Sequence, residues 1–110
     1  MNRSAVIGLA IFLAALRWVS AADYPAPHTA DFVIRDFPFQ SGETLSELRL
    51  HYRTLGTPRR DQNGVVRNAV LILHGTTGSG SQFLRAEFAG ALFAAGQLLD
   101  ASRYYLILPD

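Results

Sequence analysis

The residues best suited to chemistry in this chain lie in "LILHGTTGSGSQ", Leu71 to Gln82, where a histidine opens a glycine-rich loop. The apolar run before the loop reads as a buried strand that delivers a free stretch of backbone. With no side chains at Gly75, Gly78 and Gly80, that backbone can approach a ligand closely. Two chemistries use such a loop. Its N–H groups can cradle a phosphate, or one of them can stabilise the oxyanion that develops when a carbonyl is attacked.

The phosphate option fails on its own residues. Gly75 to Gln82 fits G-x-x-x-x-G between a strand and a helix, which is the right context for a phosphate loop. However, Ser81 stands where lysine should reach the β- and γ-phosphates. Gln82 stands where a Ser or Thr hydroxyl should hold Mg²⁺. No lysine elsewhere can substitute, because all ten basic residues are arginine. The dinucleotide pattern G-x-G-x-x-G fails as well, since Phe83 occupies its last glycine position after Gly78 and Gly80. No nucleotide or other cofactor is expected. An oxyanion loop or a plain turn remains, and the His74-Gly75 pair alone does not choose between them.

An oxyanion loop needs a nucleophile and a base, and the chain offers neither in a suitable context. There is no G-x-S-x-G: Ser79 is flanked by Thr77 and Ser81 where glycines are required. Of the three histidines, His28 lies in an irregular lead-in and His51 alternates with arginines along a strand, while His74 ends the strand before the loop. Each is expected to be structural or solvated, because none is paired with a nucleophile and an orienting acid. Asp110 follows Pro109 on a loop and is not a triad candidate.

The elements that must position the loop are legible around it. "DFVIRDFPF" (Asp31 to Phe39) predicts a strand, with Pro38 near an end or at an edge because it has no ladder donor. "QSGET" (Gln40 to Thr44) is a turn. In "ELRLHYR" (Glu47 to Arg53), Leu48, Leu50 and Tyr52 alternate with Arg49, His51 and Arg53, which predicts a strand with one buried face. The two strands make an antiparallel pair. "GTPRRDQNGVVRN" (Gly56 to Asn68) reads as a surface connection with an Asn63-Gly64 turn. "AVLIL" (Ala69 to Leu73) is continuously apolar, as expected for a strand covered on both faces. Beyond the loop, Leu84, Phe88 and Leu92 recur every four residues, flanked by Phe83 and Phe93, and predict a helix weakened by Gly90 and ended by Gly96. "YYLIL" (Tyr104 to Leu108) closes a strand–loop–helix–strand unit of a parallel sheet. Only one crossover helix is supplied, so the sheet looks unfinished.

The start of the chain is set apart from this domain. "MNR" is a short basic lead, followed by a twelve-residue apolar run, Ala5 to Leu16, and the small residues Ser20, Ala21 and Ala22. That order predicts a secretory signal peptide over residues 1–22 and a periplasmic or secreted product. The run falls short of the ~20 apolar residues that span a bilayer, and Arg17 interrupts it, so no stable membrane span is expected after cleavage. Loss of Arg3 and Arg17 takes the formal charge from +1 to −1 and gives no reason to expect a nucleic-acid partner. With no cysteine, disulfides, thiol catalysis and thiolate metal sites are excluded, and no metal site is expected.

Three blocks in order, "SGETLSELRLHYRTLGT" (Ser41 to Thr57), "NAVLILHGTTGSG" (Asn68 to Gly80) and "LDASRYYLILPD" (Leu99 to Asp110), raise the oxyanion reading above a bare turn. From about Phe37 onward the chain resembles the N-terminal part of the homoserine O-acetyltransferase-like branch of the α/β-hydrolase superfamily. The resemblance implies an α/β fold with an antiparallel strand pair leading into a parallel sheet. It implies residues 23–36 as lead-in and start of the first strand, and residues 37–110 as an incomplete α/β-hydrolase domain, truncated after the fourth strand. It implies the Thr76 backbone N–H as one oxyanion donor, with His74 and Gly75 shaping the loop. The second donor adjoins the nucleophile, and the Ser-His-Asp triad lies outside the matched region. Gly75 and Thr76 stand where the acetyltransferases tend to have alanine and leucine. Export also favours water as acyl acceptor, so the expected parent is an exported hydrolase of an ester or acyl substrate, with this fragment inactive alone. An acyltransferase with a misassigned start is the alternative. A small exported binding module is the rival from another class.

Overall fold

The computed structural model describes residues 23–110, and the signal-like segment lies outside them. The first two strands, β1 (His28–Pro38) and β2 (Thr44–Leu55), form the expected antiparallel pair. The turn between them uses Gly42 at φ 92°, closed by Gly42 N–H to the Phe39 carbonyl at 3.0 Å. Pro38 falls at the last residue of β1, where its missing donor costs nothing. Two shorter strands follow, β3 (Ala69–Leu71) and β4 (Tyr105–Pro109). β4 runs parallel to β3 and antiparallel to β2, and the sheet order is β1-β2-β4-β3.

Register places the core. Leu55 of β2 lies opposite Leu106 of β4, which lies opposite Val70 of β3. This row faces the crossover segment and packs with Leu108, Phe93 and Ala89 into the buried cluster. Phe88 sits edge-on to Phe93 at 5.7 Å between ring centroids, and Tyr24 from the lead-in reaches Phe93 at 6.4 Å.

The predicted single helix is two short pieces. A 3-10 turn covers Gly80–Leu84, and the helix α1 covers only Ala86–Leu92. Arg85 separates them in an extended conformation, φ −65° and ψ 145°. The helix ends at Leu92, four positions before Gly96, because the chain doubles back: Leu99 N–H bonds the Leu92 carbonyl and Ala101 N–H bonds Phe93. Buried Asp100 fixes that return. Its carboxylate accepts the N–H of Gly96 at 2.7 Å and both the N–H and hydroxyl of Ser102, at 2.8 and 2.6 Å. So short a helix has little stability of its own and exists by packing its aromatic face on the sheet.

Two burial expectations are corrected. "AVLIL" is not covered on both faces: Leu71 is 58% exposed and Leu73 69%. The Leu48, Leu50, Tyr52 face of β2 is not buried either, with Leu50 43% exposed beside Phe32 at 57%. Among the described residues, helical cover lies on one side of the sheet only. The other side is an apolar groove of about 290 Å³ lined by Phe32, Leu50, Tyr52, Tyr105, Ile107 and Pro109.

Candidate active site

The glycine loop leaves the sheet at the carboxyl end of β3, beside the carboxyl end of β4. Ligands of parallel sheets are bound at this end, where loops converge and backbone N–H groups are free. The strand ladder continues one residue past β3, with Ile72 N–H bonded to the Ile107 carbonyl at 3.0 Å. A tight turn then forms from Gly75 to Gly78, closed by Gly78 N–H to the Gly75 carbonyl at 3.1 Å. Thr77 takes φ 65° in this turn. A β-branched residue is strained there, and such strain persists only where the surroundings hold it.

His74 is tied to the loop it opens. Its Nδ1 lies 2.7 Å from the Gly75 carbonyl oxygen. A carbonyl only accepts, so Nδ1 carries the proton and Nε2 is left free of that bond. Gly78 packs over the ring closely enough that a Cβ there would stand 3.2 Å from Nδ1 and 2.6 Å from Gln82 Oε1. Gly75 differs: a Cβ there would meet nothing within 4 Å. Among the described residues, the engaged amides of this loop are those of Gly78, Gly80, Ser81 and Gln82. The Thr76 N–H has no such partner, and the residue is exposed.

Ser79 is not a nucleophile in this arrangement. Its hydroxyl lies 2.6 Å from that of Ser81 and accepts the Ser81 N–H at 3.3 Å, capping the 3-10 turn. Nor do the other histidines approach the loop as bases. His28 begins the edge strand β1. His51 Nδ1 donates to Asp31 at 2.6 Å, and its Nε2 stands 3.6 Å from an Asp110 carboxylate oxygen. Both ring nitrogens of the imidazole are thus engaged by acids. Among the described residues there is no group of three or more side chains that could hold a metal.

Asp110 was not legible as part of this site, and the structure puts it there. Its carboxylate accepts the Gly80 N–H at 2.9 Å and pairs with the Arg53 guanidinium. Burial works to raise this carboxyl, but the Arg53 hydrogen bond and charge, the Gly80 N–H and the His51 charge outweigh it and hold it below the usual range. Asp31 is lowered too, through its hydrogen bonds from His51 and then Arg49. The one available sequence signal was an acidic residue directly after a parallel strand, level with the loop of its neighbour.

No family model matches the chain. The chain is 44% identical over 65 residues to a protein of Methanothermobacter thermautotrophicus described as "Probable acyltransferase", which spans 56% of this chain and 20% of that protein. It is 31% identical over 83 residues to a homoserine O-acetyltransferase of Leifsonia xyli subsp. xyli, across 67% of this chain and 19% of that one. Its fold is similar to the crystal structure of esterase E22, with a TM-score of 0.56 and 18% identity over 77% of this chain and 24% of the esterase. A variant of that esterase superposes equally, at a TM-score of 0.57. The chain spans about one fifth of the length of the curated relatives it matches. These likenesses support an α/β-hydrolase-like relationship, and the structural ones give the fold.

Proposed function

We propose that this chain contributes the oxyanion loop of an α/β-hydrolase-like enzyme acting on a small ester or acyl substrate. The carrying observation is that exposed Thr76, next to Gly75 at the carboxyl end of the parallel strands, has an N–H with no hydrogen-bond partner among the described residues. A donor held there by a rigid turn pays no reorganisation when negative charge develops on a carbonyl oxygen, which is how such amides accelerate acyl chemistry. His74 acts through its bond to the Gly75 carbonyl, which belongs to the same peptide unit as the Thr76 N–H and so fixes its orientation.

The finer reading is an exported hydrolase, with residues 1–22 as a cleaved signal and water as acyl acceptor. The sequence holds no G-x-S-x-G serine, so the chain alone is proposed to be inactive, its nucleophile, acid and base supplied by further sequence. Acyl transfer is the second reading, favoured by the names of the two curated relatives.

The deciding experiment reads the coding DNA beyond the Asp110 codon and assays the continuous product. A continuation bearing G-x-S-x-G is expected. In that product Thr76→Pro, which deletes the N–H, should lower kcat about 100- to 1,000-fold with KM little changed. An unaltered kcat would reject the oxyanion role. Ester hydrolysis by residues 23–110 alone would reject the inactive-fragment reading. Partition of acetyl groups between water and an added alcohol separates hydrolase from transferase.

A further inference from the structure

The glycine loop is held at two places. At its start, His74 bonds the Gly75 carbonyl. At its end, Gly80 is pressed against β4: a Cβ there would stand 2.5 Å from the Leu108 carbonyl oxygen and 2.8 Å from that of Pro109. Packing brings Gly80 to this spot but does not fix the direction of its amide. Asp110 does that, because one oxygen of its carboxylate, Oδ1, receives both the Gly80 N–H and the Arg53 guanidinium of β2. The Asp110 N–H is itself bonded to the His51 carbonyl at 3.0 Å, so the residue is anchored through its backbone as well.

We propose that Asp110 is a positioning residue: its carboxylate clamps the glycine loop to β2 and so sets the orientation of the loop's free amides. The clamp joins three segments distant in sequence, at Arg53, Gly80 and Asp110. A carboxylate suits the position because it can accept from two donors at once, and both bonds are charge-assisted. Protonation would remove the attraction for Arg53 and weaken the acceptor facing Gly80. The groups facing this carboxyl are Arg53 and His51 from β2, with Asp31 of β1 and Arg49 behind His51. The consequence for catalysis rests on the oxyanion reading, whereas the clamp does not.

Amide hydrogen exchange on the full chain, read by mass spectrometry and corrected for intrinsic rates, tests the clamp. Asp110→Ala should speed exchange of the peptide holding Gly80 about tenfold or more, the scale of a lost hydrogen bond to a charged group. Protection of β1 and β2 should persist. Asp110→Asn, a neutral acceptor like the protonated acid, should restore only part of the protection. In the unsubstituted chain, loop protection should fall ahead of that of β1 and β2 as pH drops through the Asp110 titration, whereas in Asp110→Asn it should fall only together with theirs. Arg53→Gln should move that release to higher pH. Unchanged loop exchange in Asp110→Ala with the strands intact would overturn the proposal, as would the same pH profile in Asp110→Asn. If Asp110→Ala loses the strands as well, the Asn and Arg53→Gln pH profiles decide. The Thr76→Pro kinetics read the oxyanion role separately, so either idea can fail without the other.

Discussion

Gly80 lies so close beneath the Leu108 carbonyl that a methyl group on its α-carbon would stand 2.5 Å from the oxygen. The contact is backbone on backbone, and neither partner has a flexible end that could yield. Gly80→Ala should therefore push the loop off β4 and destabilise the fold by about 2 kcal/mol, within the usual cost of overpacking. Gly75→Ala, a few residues away, meets open space and should stay within about 0.5 kcal/mol of the parent. Urea unfolding of the two variants checks the contrast. Equal midpoints would show that Gly80 is not sterically required.

Thr77 stores strain in the same loop at φ 65°. Thr77→Gly removes the steric conflict, worth ~1–3 kcal/mol, against a backbone entropy cost of ~0.5–1 kcal/mol. The variant should be more stable by about 1 kcal/mol in thermal or urea unfolding. In a continuous active product it should also lower kcat, because a loosened turn no longer holds the Thr76 N–H in place.

Acid should unfold the chain through its carboxylates. Asp31, Asp61, Asp100 and Asp110 are all lowered from the ordinary value of 3.8 in the folded state. The unfolded chain then takes up these protons at higher pH than the folded one. The stability they contribute is complete above 3.8 and is lost as pH falls from there through the folded values. Far-UV circular dichroism against pH should show the loss. Asp31→Asn and Asp110→Asn should each flatten the slope.

The open sheet face should govern solubility. Phe32, Leu50 and Leu71 are 57%, 43% and 58% exposed on the side without helical cover, and contiguous apolar surface of this kind promotes association. Residues 23–110 expressed alone should be poorly soluble. Phe32→Lys combined with Leu71→Lys should raise the soluble fraction while changing stability by no more than about 0.5 kcal/mol per site. A soluble, cooperatively unfolding monomer from the unsubstituted segment would contradict this.

Much of the local structure was set by the sequence alone. Pro38 at the end of β1, the alternation in β2, the turn at Gly42 and the strand–loop–helix–strand order all follow from side-chain period and backbone limits, which act over a few residues. The absence of lysine likewise argues, on composition alone, against a phosphate loop that needs one. Other features depended on residues far apart in the chain. The split at Arg85 and the early end at Leu92 arise because Leu99, Asp100 and Ala101 return to satisfy and pull on the helix, and no local period encodes that return. Burial of "AVLIL" and of the Leu50 face depended on what lies over the sheet, so an apolar pattern gave the capacity for burial and not its occurrence. Asp110 shows the limit most directly. As the residue after Leu108 and Pro109 it looked like a loop acid. Register brings it within reach of Gly80 and Arg53, thirty and 57 residues away in sequence. Short-range sterics thus wrote the elements and the glycine loop into the sequence, while strand pairing decided which charged groups hold that loop.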